Sequence, residues 1–358
     1  MSLSCGLVGL PSCGKTVIFN AITAASISSY DGSELNRAVV KLPDQRLDRL
    51  IETYRPRKEV QATLEIVDIP GIEVGPKGSG RGSRLLGHMK DVEAVVHVAR
   101  CFEYGNGSLD DEMTDPVRDI ETLDLELMVA DSVTLENKME RLGKRVRGRD
   151  REAIQEFADC EKVHADVGQG IPVRKQVLNA HEMASIRECN LVSLKPVMYI
   201  ANIRSTGDVT NRHVTALRQF ADAENAEMIT VYGRDEADIS QLEPSEQREF
   251  LQELGLEESS RDRLLRAAYR MLGVVSFFTT GEDEVRAWTC RKGDKAPVAA
   301  GKIHTDMEKG FIRMEVISYA DLMELGSEAA VAKAGRQRVE SREYEVQDGD
   351  IVAVLFNG

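Results

Sequence analysis

Eight residues near the N-terminus, Gly9-Leu10-Pro11-Ser12-Cys13-Gly14-Lys15-Thr16, constrain this chain more than any other stretch. They match GxxxxGK[ST], a pattern that makes physical sense only between a strand and a helix. The flanks supply both. Leu3 to Val8 is a short apolar run ended by Gly9, and after Lys15 the spacing of Val17, Ile18, Ala21 and Ile22 becomes helical. Glycines let backbone N–H groups turn inward around a β-phosphate, and the helix N-terminus adds its dipole. Lys15 is expected to reach the β and γ oxygens, and Thr16 to offer its hydroxyl to Mg2+. Gly9, Ser12, Cys13, Gly14, Lys15, Thr16 and Val17 are the nucleotide-binding residues this stretch suggests.

A second element follows at Leu64-Glu65-Ile66-Val67-Asp68-Ile69-Pro70-Gly71, a strand that delivers an acid to its C-terminal end and then a glycine. Asp68 is expected to hold Mg2+ through water, beside the Thr16 hydroxyl, and the N–H of Gly71 to sense the γ-phosphate; Lys15 and Gly71 are the catalytic candidates. Gly75, Gly78, Gly80 and Gly82 come next, suited either to a nucleotide-sensing switch or to an ordinary surface loop.

Apolar runs at Ala94 to Ala99, Val197 to Ala201 and Met228 to Tyr232, separated by helix-sized segments, point to a parallel α/β sheet. One gap is too long for a single crossover. It opens with Asp115 and Pro116, an N-cap and N1 pair, and carries apolar residues at Ile120, Leu123, Leu127, Ala130, Leu135, Met139 and Leu142. A second striped segment holds Ile154, Phe157 and Val163, so an antiparallel, coiled-coil-like helical arm is expected. From Val274 onward, short strand-like runs lie among glycine-containing turns. The expected division is 1–114 and 197–272 for the nucleotide domain, 115–196 for the arm and 273–358 for a small β-rich domain.

The arm's turn is where charge becomes informative. The chain carries a net charge of −14, so any contact with nucleic acid needs a local basic patch. Arg141, Lys144, Arg145, Arg147, Arg149 and Arg151 face only Asp150 in that turn. They form either a solvated surface or a contact for RNA phosphate. Six cysteines stand far apart with no CxxC pair, no histidine spacing suits a metal, and no signal-peptide pattern or membrane-length apolar run occurs; a cytoplasmic protein with reduced thiols is expected. Cys13, beside Lys15 and a helix start, is either a thiol of lowered pKa or a small residue that fits. For His304, in the C-terminal segment, a structural or surface role is the better reading.

These blocks resemble the YchF family, Obg-related P-loop ATPases and GTPases. The resemblance rests on GLPSCGKT and VDIPG, on Arg100-Cys101-Phe102-Glu103, on LKPVMYIAN ending at Asn202, on FLQELGLEE from Phe250, and on EVRAWT, AAGKIHTDMEKGFIR and DGD. It implies an α/β P-loop NTPase G domain with an inserted antiparallel helical arm and a C-terminal β-grasp (TGS) domain. It further implies Mg2+-dependent ATP or GTP hydrolysis in the cytoplasm, linked to the ribosome or ribosomal RNA, with no DNA or membrane partner expected. By resemblance Asn202 and Ile203 frame the base, but the family's NxxE reads Asn202-Ile203-Arg204-Ser205 here. No carboxylate is present to select guanine, and adenine is favoured.

Other departures thin the catalytic parts. Gly32 aligns with the family's switch Thr, leaving Ser33 as a substitute, and Leu109 stands where many members have a histidine. Ser12 replaces an asparagine, while Ile72 after the DxxG is normal for the family. Three readings fit these residues. They are a slow ATPase, a nucleotide-sensing adaptor with little turnover, and a GTPase drawing a carboxylate from elsewhere, such as Asp208.

Overall fold

The structure, a computed structural model, describes residues 3–24, 35–70, 87–103, 114–204 and 209–357. Its strands are β1 (Ser4–Val8), β2 (Asn36–Lys41), β3 (Lys58–Val60), β4 (Thr63–Asp68), β5 (Ala94–Arg100), β6 (Val197–Ile203), β7 (Glu227–Tyr232), β8 (Val274–Thr279), β9 (Glu284–Arg291), β10 (Phe311–Ser318), β11 (Arg338–Glu340) and β12 (Asp350–Phe356). The helices that matter below are α1 (Lys15–Thr23), α2 (Gln45–Tyr54), α3 (Pro116–Arg147), α4 (Arg151–Gly168), α5 (Arg212–Ala223), α6 (Gly233–Ile239) and α7 (Ala296–Ile303).

The chain forms two compact units, Met1–Val39 with Glu65–Leu264, and Val40–Leu64 with Leu265–Gly358. In the first, a six-stranded sheet has the order β2-β4-β1-β5-β6-β7. β1 pairs in parallel with both β4 and β5, and β6 does so with β5 and β7. Every residue of β1 is buried, as a central strand covered on both faces requires. Sequence direction changes across β1, with β4 on one side and β5 on the other, which opens a crevice at the carboxyl ends of these strands.

The long gap in the strand pattern is filled by α3 and α4. Asp115 caps α3 by accepting from the Arg118 N–H, with Pro116 at the first turn. The helices run antiparallel. Ser132 meets His164 at 2.8 Å, Lys138 meets Glu156 at 2.6 Å and Arg145 meets Asp150 at 2.7 Å, so positions rise along one helix as they fall along the other. The root of α3 lies on the sheet, where Leu123 and Leu127 pack with Val8, Val67, Val95 and Val192. Farther out, Leu135 packs against Cys160 and Val163 of α4. One expected stripe residue is corrected: Ile154 is exposed, and Ala153 takes the inward position beside it.

In the second unit, β8 and β9 form an antiparallel pair, β12 runs parallel to β8 in the middle, and β10 and β11 continue the sheet. The order β11-β10-β12-β8-β9 with α7 packed on the sheet is a β-grasp. Ala296, Ala299 and Ala300 of α7 bring that helix close to Phe277, Phe311 and Val316. The sheet gains a sixth strand from far upstream, because β3 pairs in parallel with β9. The 40–64 segment is held to this unit further by Arg46 of α2, which bonds Asp348 at 2.7 Å and lies over the Phe278 ring. His304 is exposed and caps the short helix Thr305–Lys309, accepting from the Asp306 N–H.

Buried charge ties α3 to the end of α5. The Arg174 guanidinium grips Asp124 of α3 through both terminal nitrogens and also reaches Glu224, the C-cap of α5. His97 of β5 lies beside this cluster, its Nε2 3.8 Å from Asp124 Oδ1, too far for a hydrogen bond. Neither of its ring nitrogens has a hydrogen-bond partner among the described residues. Burial pushes the imidazole pKa down to about 4, against a smaller upward pull from Asp124. The ring is therefore neutral in the folded protein at neutral pH.

The unfolded chain binds a proton here near pH 6.5, while the folded chain does so only near 4. Stability from this group is thus full above pH 6.5 and is lost as pH falls towards 4, by about 3 kcal/mol. His97→Phe should flatten that slope in denaturation curves recorded between pH 7 and 4. An unchanged slope would mean that the buried ring takes up a proton as readily as the unfolded one.

Candidate functional site

The loop after β1 rises into the crevice at the carboxyl end of the strand and runs straight into α1. Its two terminal glycines meet different demands. A Cβ on Gly9 would stand 2.6 Å from both the Val98 carbonyl oxygen and the Cys13 sulfur, so the loop passes β5 too closely for a side chain. Gly14 has φ +87°, and a Cβ there would fall 2.2 Å from Asn202 Nδ2. Ser12 also takes a left-handed φ, of 66°. Among the described residues no side chain caps α1, so its first-turn N–H groups remain suited to an anion.

Asp68 ends β4 beside β1 and is fully buried. Lys15 Nζ lies 2.6 Å from its Oδ1, and the Thr16 hydroxyl donates to Oδ2 at 3.3 Å. The P-loop lysine and hydroxyl and the strand-end acid, expected from two motifs more than fifty residues apart in sequence, are thus one cluster. A third donor joins them: Asn36, at the start of β2, points Nδ2 at Asp68 Oδ2 from 3.4 Å.

Asn202 closes the opposite wall. Its amide donates to the Cys13 carbonyl at 2.9 Å and is itself almost wholly buried. The space for it is narrow. A Cβ on Gly14 would strike Nδ2, and a Cβ on Gly233, at the start of α6, would come within 2.6 Å of Oδ1. Two glycines from distant parts of the chain therefore clamp Asn202 against the loop. Ile203, by contrast, directs its side chain into the core with Val214 and Leu217, so only its backbone is left to face a ligand. Val17 is exposed on α1, and Ser12 is exposed at the loop. Cys13 is buried, and burial pushes its thiol up to about 11 despite the opposing pull of Lys15. A reactive thiolate is not what this position provides.

Gly71, Gly32, Ser33, Ile72, Leu109, Ser205, Asp208 and the glycines at 75, 78, 80 and 82 lie outside the described residues. Among the described residues no group of three or more His, Cys, Asp or Glu could hold a metal by itself. A Mg2+ ion coordinated by one carboxylate, one hydroxyl and the oxygens of a phosphate needs no such group. Asp68 and Thr16 are hard oxygen donors side by side, so the residues present fit that ion.

The six cations of the arm's turn stand at the far end of α3 and the start of α4, all exposed. They are not equivalent. Arg145 is tied to Asp150 at 2.7 Å, and Asp150 also caps α4 by accepting from the N–H groups of Glu152 and Ala153. The carboxylate holds the Arg145 guanidinium more firmly charged and is itself held below its usual range. Arg145 therefore helps close the turn, whereas Arg141, Lys144 and Arg147 lie exposed on the last turns of α3, with Arg141 and Arg147 donating through Nε to the carbonyls of Asn137 and Gly143 on their own helix.

A phosphate-binding loop on a parallel sheet, with its lysine and hydroxyl on a strand-end acid, defines a P-loop NTPase of the G-domain type. Comparison with known proteins agrees. The family model MMR_HSR1, "50S ribosome-binding GTPase", matches residues 4–138, and YchF-GTPase_C, "Protein of unknown function (DUF933)", matches residues 274–357. The chain is 40% identical over 366 residues to the "Ribosome-binding ATPase YchF" of Bacillus subtilis, and 41% identical over 362 residues to that of Escherichia coli O157:H7, covering 100% of both chains in each case. The solved structure of the Schizosaccharomyces pombe YchF GTPase superposes with a TM-score of 0.87 at 32% identity, covering 99% of this chain and 98% of that one. This chain belongs to the YchF family.

The clamp on Asn202 gives a direct test. Gly233→Ala should displace the Asn202 amide from Cys13, costing about 1 kcal/mol of stability, the net worth of one such hydrogen bond. Nucleotide binding should weaken roughly tenfold if the loop loosens with it. In an Asn202→Ala background the same glycine change should have little further effect, and simple additivity in this double-mutant cycle would show that Gly233 acts elsewhere.

Proposed function

We propose that this chain is a Mg2+-dependent, ATP-preferring P-loop NTPase with slow turnover that associates with the ribosome. The observation that carries the reading is the convergence of Lys15 and Thr16 on the buried Asp68 carboxylate at the mouth of a glycine-shaped loop. It occurs in a chain similar along its whole length to proteins named ribosome-binding ATPases.

In this reading Gly9, Ser12, Cys13, Gly14, Lys15, Thr16 and Val17 line the phosphates, chiefly through backbone N–H groups. Lys15 exchanges Asp68 for the β and γ oxygens, which adds a point charge where negative charge is densest. Thr16 and Asp68 would hold Mg2+, which would offset the negative charge of the phosphates. The N–H of Gly71 addresses the γ-phosphate. Asn202 frames the base from its clamped position, with the Ile203 backbone beside it. The tetrapeptide 202–205 offers no carboxylate to guanine, so ATP is the preferred substrate. Turnover is slow because Ile72 cannot orient water, and neither Gly32 nor Leu109 carries a group that could assist.

The ribosomal contact is placed at the tip of the arm, proposed to span residues 115–196. There Arg141, Lys144, Arg145, Arg147, Arg149 and Arg151 concentrate positive charge on an otherwise acidic chain. Such charge meets RNA phosphate with salt-dependent affinity. A cytoplasmic location follows from that partner. Among the described residues no helix is long and apolar enough to cross a membrane.

Competition titration should show ATP binding at least as tightly as GTP, and a strong GTP preference would overturn the base assignment. Single-turnover hydrolysis should accelerate when ribosomes are added; undiminished ATP-dependent ribosome binding without hydrolysis would make the chain a nucleotide-gated adaptor instead. Replacing Arg141, Lys144 and Arg147 by Ala, with the turn-closing Arg145 kept, should weaken ribosome binding. The log–log salt slope should fall by up to about 3. An unchanged slope would remove the arm's tip from the interface.

A further inference from the structure

The Asp68 carboxylate is the most heavily engaged group at the site, and one of its partners has no part in the reading above. Oδ1 is taken by the Lys15 ammonium at 2.6 Å. Oδ2 accepts from two neutral donors, the Thr16 hydroxyl at 3.3 Å and the Asn36 amide at 3.4 Å. Asn36 opens β2, which lies next to β4 in the sheet, so its position beside the end of β4 is set by strand pairing and not by a loop.

We propose that Asn36 is a positioning residue of the Mg2+ site, holding the Asp68 carboxylate in place when Lys15 and Thr16 turn to nucleotide and metal. The inference rests on the nucleotide-site reading given above. Once Lys15 moves to phosphate, Asp68 loses the ammonium that fixed Oδ1 and has to be held towards the metal, while the Thr16 hydroxyl is drawn to the same ion. Asn36 is the remaining donor among the three. An amide suits the task because it donates a hydrogen bond to the carboxylate without adding a charge that would repel it or compete for the cation. Partners that orient a metal's ligands in this way commonly change metal affinity by one to two powers of ten when removed. Gly32 and Ser33, to which the sequence pointed for this part of the site, lie four and three residues upstream.

The test is ATP affinity measured by calorimetry across a range of Mg2+ concentrations and again in EDTA, for wild type, Asn36→Ala and Asn36→Leu. Asn36 is only part-buried on an edge strand, so both variants should fold; the leucine, of similar volume, controls for packing. In both, the Mg2+ midpoint should rise about tenfold, with ATP affinity in EDTA equal to wild type. A wild-type midpoint in the variants would overturn the inference. So would an equal loss of ATP affinity with and without Mg2+, which is what a merely structural role produces. If wild-type protein binds ATP with no Mg2+ dependence, the metal-site reading fails and this inference with it.

Discussion

The ion pair between Lys15 and Asp68 is the contact on which the nucleotide site depends. Both partners are buried, and taking two charges out of water is costly unless each neutralises the other. Each partner offsets the desolvation of the other, so either charge left alone in that cleft would destabilise the fold. In the proposed function the pair also makes ligand binding an exchange of partners. Triphosphate would take the lysine and a divalent cation the carboxylate, so each buried charge keeps an opposite charge beside it before and after binding. Thr16 and Asn36 hold the carboxylate from its other oxygen, which keeps the exchange local.

The surroundings of that pair are shaped by close approach more than by side-chain chemistry. Gly9 lets the loop skim β5, and Gly14 and Gly233 leave a slot just wide enough for Asn202, which ties the loop to the ends of β6 and β7. Farther out, buried charge does for the arm what the ion pair does for the loop. Arg174 joins Asp124 of α3 to Glu224 at the end of α5, and Tyr199 of β6 donates to Glu224 at 2.9 Å, so the root of the arm is tied to the neighbouring helix and sheet while its basic tip is exposed.

The parts of this arrangement legible in sequence were those with a local signature. GLPSCGKT between an apolar run and a helical stripe, and the acid closing a second apolar run, needed no tertiary information. The arm was legible because its apolar period is long and its cap, Asp115-Pro116, is unambiguous. Asn36 and Gly233 were not, since a single polar residue at a strand start and a glycine at a strand end acquire meaning only from what stands across the sheet. A glycine directly after β7, at the carboxyl edge where such sheets bind ligands, was the one available hint for Gly233. The pairing of β3 with β9 was equally hidden, because its partners are more than two hundred residues apart. Ile154 failed as a stripe residue for a plainer reason: it stands half a helical turn from Val163, whereas Ala153 shares the inward face with Cys160, Val163 and Val167.

The most direct measurement is a calorimetric titration of Mg·ATP into wild-type protein and Lys15→Ala, accompanied by denaturation curves of both without ligand. Wild type should bind, and the variant should give no measurable heat. Without ligand the variant should be less stable by about 3 kcal/mol, because it leaves the buried Asp68 without its counter-ion. Equal ATP affinity in the two proteins would contradict the assignment of Lys15 and Asp68 as the centre of the nucleotide site.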